Sequence, residues 1–270
     1  MQSNLLEPAV DDILKKTVSA ADGELLVVDP SKETLEALVS VAAEAETDLD
    51  VSVLARETVL KQVTSDFIFA SRMADLVAAE QLSLHVLDTV ADNSLLLWDN
   101  AVLAIVSGTD SVSALAATDA DFIRSVQASY EAQISDAPVF SLRTPPLSEV
   151  RKTLQMEISA AAQTDFDAML GSIDRMGENE PVDEVVISLL TAAKNDVLLY
   201  DISKWGEDVG VASKATFSRT KTRLEDAAVI ETEKVPIDVG RPRLRLTLSP
   251  TLTTKEPAAI VAATREAIAR

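Results

Sequence analysis

Residues 201–235 read DISKWGEDVGVASKATFSRTKTRLEDAAVIETEKV, and how this stretch divides into elements decides the fold of the carboxy-terminal part of the chain. Inside it, residues 213–223 hold Lys214, Arg219, Lys221 and Arg223 without one acidic residue, in a chain whose formal net charge is -20. A solvated basic helix face would look the same, so the meaning of the patch rests on its surroundings. "DISKWGEDVG" is predicted to be a short helix with Asp201 as its cap, and Val211 and Ala212 a brief turn. "SKATFSRTKTRLEDAA" is predicted to be a second helix capped by Ser213, whose hydroxyl can accept a free N–H of the first turn. "VIETEKV", rich in β-branched residues, reads as a strand.

Working outward, "DEVVISLLTAAKN" (183–195) is a further helix on the amino-terminal side. "PIDVGRP" (236–242) joins the strand to a second one, "RLRLTLS" (243–249). Three helices followed by a two-stranded ribbon is the element order of a winged helix-turn-helix. On the last helix a 100° step puts Phe217, Leu224 and Ala228 on one side, the expected buried stripe, and Ala215, Ser218, Arg219 and Thr222 on the other. Small and hydroxyl side chains around one Arg let a backbone approach a major groove while the guanidinium forks onto a base edge. Lys214, Thr216, Lys221 and Arg223 fall on the flanks, where phosphates would run, and Ser213 stands at the helix start. On the ribbon, Arg241, Arg243 and Arg245 alternate with Pro242, Leu244 and Leu246, so cations share one face and leucines the other. Gly240 suits a tight turn, and Arg241 near the tip could reach a minor groove or its phosphates; an edge strand guarded by charge is the structural alternative.

The charge distribution sharpens this reading. Residues 1–202 carry 12 Lys and Arg against 35 Asp and Glu, whereas residues 203–245 carry 9 against 7. Acid spread over many separated positions points to a solvated surface of the kind adapted to high salt rather than to an acidic tail. Such a surface repels nucleic acid, which makes a local reversal of sign informative. The 47% hydrophobic content excludes a largely disordered acidic chain, and aromatics at only 4% imply a core of small aliphatic side chains. Cys is absent and His85 is the single His, which removes disulfides, thiolate nucleophiles and Cys-based zinc sites and leaves little for a His-dependent triad. No cofactor or metal is expected. No run of eighteen apolar residues occurs, and "MQSNLLEPAVDDILKK" lacks the order of a secretory signal, so a cytoplasmic protein without a membrane partner is expected.

The fold expectation is α+β in two domains: an amino-terminal α/β sheet domain with helices and a carboxy-terminal winged helix-turn-helix. In residues 1–144, a sensor or dimerisation domain, "ELLVVD" (24–29), "DVSVLA" (50–55) and "LSLHVLD" (82–88) alternate with helical patterns at 31–45 and 57–81, which argues for a parallel core. "SLLLWD" (94–99) and "AVLAIVSG" (101–108), joined through "WDNAV", extend the sheet by an antiparallel hairpin. Residues 146–176 form one long amphipathic helix or two, for packing in their own domain, a dimer interface or, within 145–180, a helical connector. "GENEPVD" (177–183) is the expected boundary before the winged helix-turn-helix of 181–250, and 251–270 close the chain with a helix.

The same residues carry a resemblance. "DISKWGEDVGVASKATFSRTKTRLEDAAVIETEKV" is similar to winged-helix domains of archaeal and bacterial regulators of the TrmB and MarR kind. "ISLLTAAKN", "LLYDISKWGEDVG", "SKATFSRTKTRLED" and "EKVPIDVGRPRLRL", with "FSLRTPPLSEVRKTL" upstream, resemble the haloarchaeal TbsP-type regulators over nearly the full chain. That resemblance implies a DNA-binding transcription regulator linked to central carbon metabolism. Two departures from winged-helix habit stand out: Ala228 occupies the place of a usual Gly before the ribbon, and the turn before Ser213 is short. The amino-terminal part weakly resembles half of a phospholipase-D-like domain, but that chemistry needs a Lys two residues after its His, and His85 is followed by Val86 and Leu87. His85 therefore reads as a strand residue with a satisfied ring. "SGTDS" lacks the spacing and Lys of a phosphate loop, and Asp119 and Asp121 are unremarkable in so acidic a chain. The expected partners are duplex DNA at an operator, a second copy of the chain, and a small-molecule metabolite as effector. The alternative is a scaffold or enzyme that uses its winged helix for protein contacts, although a protein-contact surface would more often be apolar than Ser, Arg and Thr.

Overall fold

The computed structural model describes residues 4–21, 23–45, 49–88, 90–173, 180–236 and 242–269. The chain divides into two compact units, one of residues 1–65 and 69–142 and the other of residues 66–68 and 143–270.

The first unit is built on a seven-stranded sheet. Its strands are β1 (Leu5–Glu7), β2 (Glu24–Val28), β3 (Asp50–Ala55), β4 (Leu82–Val86), β5 (Ser94–Trp98), β6 (Ala101–Ser107) and β7 (Val112–Ala117), in the order β1-β7-β6-β5-β2-β3-β4. Only β2–β3 and β3–β4 are parallel, each reached through a helical crossover, as the alternating pattern requires. The hairpin through Asp99 and Asn100 sets Trp98 opposite Ala101 and turns the rest of the sheet antiparallel. The helices are α1 (Val10–Ala20), α2 (Lys32–Glu44), α3 (Glu57–Thr64), α4 (Phe67–Ala78) and α5 (Ala120–Asp136). Strand β2 is buried on both faces: Leu25 and Val27 join Ile13, Leu14, Leu35, Leu38 and Met73, while Leu26 and Val28 join Leu95, Leu97 and Ile123 of α5. The continuous helical pattern at 57–81 is in fact two helices. Between them the buried Asp66 turns its carboxylate onto the N–H of Ile68 at 2.9 Å, so a free donor at the start of α4 is satisfied by a side chain and the first helix stops. His85 is a strand residue paired with Leu54, but its ring is not satisfied: Nδ1 is buried without a hydrogen-bond partner among the described residues.

In the second unit, residues 146–176 give two helices, α6 (Leu147–Glu157) and α7 (Ala160–Leu170). Ser159 accepts the N–H of Ala162 at 3.1 Å and starts α7 afresh. Their apolar seam, with Leu147, Val150, Leu154, Phe166 and Leu170, is buried in this unit's own core. Helix α8 (Glu184–Lys194) is the hub, buried from Val185 to Ala193. Around it lie α9 (Leu199–Val209), α10 (Lys214–Asp226), the ribbon β8 (Ile230–Val235) and β9 (Arg243–Leu248), and α11 (Pro257–Ile268). Trp205 of α9 is fully buried and donates from Nε1 to Thr153 Oγ1 of α6 at 3.0 Å, tying the two-helix segment to the helices that follow.

Candidate nucleic-acid interface

Helices α9 and α10 meet through a glycine. Gly206 lies against the ring of Phe217, so close that a Cβ there would stand 2.3 Å from Cε2. Absence of a side chain at Gly206 therefore sets the separation of the pair. Helix α9 ends on Gly210, whose φ of 89° is the left-handed cap, and Val211 and Ala212 lead directly into Ser213. Ser213 Oγ accepts the N–H of Thr216 at 3.2 Å, the cap expected for α10. Asp201 is not a cap: α9 begins at Leu199, and the Asp201 carboxylate in its first turn pairs with Arg243 instead.

Phe217, Thr220 and Leu224 form the buried side of α10. Ala228 does not belong to it. The helix ends at Asp226, and Ala228 is an exposed C-terminal cap with a φ of 54°. Its N–H bonds the Glu225 carbonyl at 2.9 Å while that of Val229 bonds the Leu224 carbonyl at 2.9 Å, the paired bonds of a Schellman end that Gly normally occupies. Ala215, Ser218, Arg219 and Thr222 are all exposed on the opposite side.

The acid-free run is not acid-free in space. Lys214 Nζ lies 2.7 Å from Glu207 of α9, and this mutual hydrogen bond holds the Lys214 pKa above its ordinary value and that of Glu207 below it. Lys221 lies 2.5 Å from Glu225, whose other oxygen accepts Thr232 Oγ1 at 2.7 Å. With its side chain 13% exposed, Lys221 is turned into the junction with β8 rather than outward. Arg223 lies 3.9 Å from Asp183 and donates to the Pro181 carbonyl at 3.4 Å. On the ribbon, Arg245 faces its cross-strand partner Glu233 at 3.6 Å. Arg243 lies 3.5 Å from Asp201 and 4.2 Å from the centre of the Tyr200 ring, a cation–π contact. Leu246 and Leu248 alternate with these cations into the core. Thr216 Oγ1 hydrogen-bonds with Ser213 Oγ, and Thr222 Oγ1 donates to the Ser218 carbonyl, so both hydroxyls are held locally. Arg219 stands apart: it has no ion-pair or hydrogen-bond partner among the described residues and sits in the middle of the small, hydroxyl-bearing face. Arg241 and Gly240 lie outside the described residues. Tyr200, Glu207 and Asp201 are the residues that sequence reasoning did not place at this surface.

Among the described residues no group of three or more His, Asp or Glu could hold a metal ion, and no helix is long and apolar enough to cross a membrane.

The amino-terminal domain of TbsP-like transcriptional regulators matches residues 2–145, and their carboxy-terminal helix-turn-helix domain matches residues 146–265. The chain belongs to the TbsP-like transcriptional regulators. The helix-turn-helix match takes in α6 and α7 along with the three helices and the ribbon, in keeping with their shared core. No curated protein matches this regulator. Among solved structures, TrmBL2, described as an archaeal chromatin protein with a novel mode of DNA binding, is 13% identical with a TM-score of 0.38, over 52% of this chain and 54% of its own. The match thus spans about half of the TrmBL2 chain. Nuc, a phospholipase D family member from Salmonella typhimurium, is 10% identical with a TM-score of 0.35, over 51% of this chain and 97% of its own.

Proposed function

We propose that this TbsP-like regulator binds duplex DNA with α10 in the major groove and the β8–β9 ribbon beside it. The observation that carries the proposal is Arg219, a cation without an ion-pair or hydrogen-bond partner among the described residues, on an exposed face whose neighbours Ala215, Ser218 and Thr222 are short enough to let the helix enter. Arg219 reads a base edge, and Lys214, Arg223, Arg243 and Arg245 bind phosphates by exchanging their carboxylate partners for DNA oxygens. Ser213 and Thr216 shape the start of α10, Lys221 braces it from the side, and Arg241 is a further cation for the DNA. The protein acts as a homodimer, because one winged helix buries too little surface for high specificity. Its amino-terminal unit serves sensing or dimerisation without catalysis, in the cytoplasm of a halophilic archaeon, and its targets belong to central carbon or sugar metabolism. A small metabolite is its effector.

Electrophoretic mobility shift with DNA from the protein's own promoter region tests the reading, with light scattering alongside. Retention of that duplex by a dimer, against excess random duplex, is expected. A folded protein that never shifts DNA would favour the scaffold reading instead.

A further inference from the structure

A groove of about 440 Å³ opens between the first turns of α9 and α10 and the start of β9. Its size falls within the range of small-molecule sites, roughly 300–1,000 Å³. The walls combine two chemistries. Leu199 and Leu244 supply aliphatic surface beside the Tyr200 ring, while Lys214 and Arg243 bring cations and Ser218 a hydroxyl to the same space. Among the described residues each cation is held at the lining by one partly exposed carboxylate, Glu207 at 2.7 Å and Asp201 at 3.5 Å, and Arg243 is further fixed on the Tyr200 ring. An anion entering the groove would meet two donors already oriented and would displace two solvated carboxylates, which return to water at little cost. A purely inorganic anion would leave the leucine walls unused.

We infer that this groove binds a phosphate-type anion carried on a short carbon skeleton, the anion between Lys214 and Arg243 and the skeleton against Leu199 and Leu244. Two sources have this chemistry: a sugar–phosphate unit of the bound DNA backbone, or a free phosphorylated small molecule. The second would exclude DNA directly, since Lys214 and Ser218 stand on the helix assigned above to the major groove, and in that respect the inference rests on the proposed function. The anion site itself does not.

Phenyl phosphate and inorganic phosphate serve as probes, titrated into the DNA-free full chain and followed by amide chemical shifts. Leu244→Trp fills the groove, and Tyr200→Ala, which removes the platform under Arg243, is the second variant should the first not fold. A free small molecule as the source predicts saturable binding with shifts confined to the groove. Phenyl phosphate should then bind at least about tenfold tighter than inorganic phosphate, lose that binding in either variant, and compete with duplex on the wild-type chain. DNA backbone as the source predicts no saturation by either probe and an equal loss of affinity for all duplex sequences in both variants. Probes that do not saturate, with duplex affinity unchanged in the variants, overturn the inference. If the wild-type chain binds no duplex, the proposed function fails, and the probe titration alone then decides the groove: saturation supports it and its absence overturns it.

Discussion

The Phe217 ring occupies the space that a side chain at Gly206 would need, with a Cβ there 2.3 Å from Cε2 and 2.4 Å from Cζ. Ala is the better helix former by about 1 kcal/mol, yet overpacking of a fixed ring costs about 1–3 kcal/mol. Gly206→Ala should therefore destabilise the carboxy-terminal unit despite its helix propensity. Adding Phe217→Leu should recover part of the loss, a coupling that a double-mutant cycle in urea measures. Independent, additive effects would show that the contact does not set the helix pair.

The Lys214–Glu207 pair makes a prediction about salt. Each phosphate neutralised by a free cation releases about 0.9 counterions, but a Lys that leaves Glu207 for a phosphate exposes a carboxylate that takes a cation up again. The same holds for Arg243 with Asp201 and Arg245 with Glu233. Duplex affinity should accordingly have an unusually shallow log–log dependence on salt, helped by screening of the acidic surface, whose reach shrinks to about 3 Å near molar salt. Glu207→Gln should raise affinity several-fold at low salt and steepen the slope by roughly one. Fluorescence anisotropy across a salt series reads both quantities, with circular dichroism confirming the fold at each point.

Ala228 holds a left-handed cap that costs a non-glycine residue roughly 1–2 kcal/mol. Gly removes that strain but adds about 0.4–1 kcal/mol of unfolded-chain entropy. Ala228→Gly is expected to stabilise by up to about 1.6 kcal/mol and to leave DNA affinity unchanged. A shift of the urea midpoint to lower concentration would contradict it.

Glu184, in the first turn of α8, has its pKa pushed up to about 7, by burial above all, against its own backbone hydrogen bond and with added repulsion from Asp183 and Asp66. The folded state then holds a proton that the unfolded chain has lost, so the contribution of this group to stability is full below about pH 4.5 and is lost as pH rises toward 7. Glu184→Gln should remove that decline, with an advantage over the wild type on the order of 2–3 kcal/mol at pH 8 that vanishes near pH 4. Paired urea melts at the two pH values measure it, and equal differences at both would contradict the assignment.

Much of this was legible from the chain. "ELLVVD" without a polar alternate announces a strand buried on both faces, and Leu25 through Val28 are. The hairpin at Asp99 and Asn100 and the cap at Ser213 are local chemistry and sit where local chemistry places them. Strand β7, "VSALAA", escaped because small residues blur a period of two, and α5 escaped because it buries only Ile123. At the candidate site, the exposed face of α10 follows from a 100° step alone. Its neutralisation does not: Arg223 meets Asp183, and Arg243 meets Asp201, across turns of the fold that no sequence spacing records. Lys221 with Glu225 does have the i, i+4 spacing that a reader of the sequence could use.

The central claim is that α10 reads DNA through Arg219 while the paired cations supply sequence-independent grip. The ratio of affinities for the operator duplex and a random duplex, measured for Arg219→Ala beside Lys214→Ala, tests it most directly. The account predicts that Arg219→Ala loses roughly 1–3 kcal/mol on the operator and little on random duplex, so the ratio collapses, whereas Lys214→Ala weakens both alike and leaves it intact. Equal losses on both duplexes for Arg219→Ala, with the ratio unchanged, would contradict the claim and reduce Arg219 to one more phosphate contact.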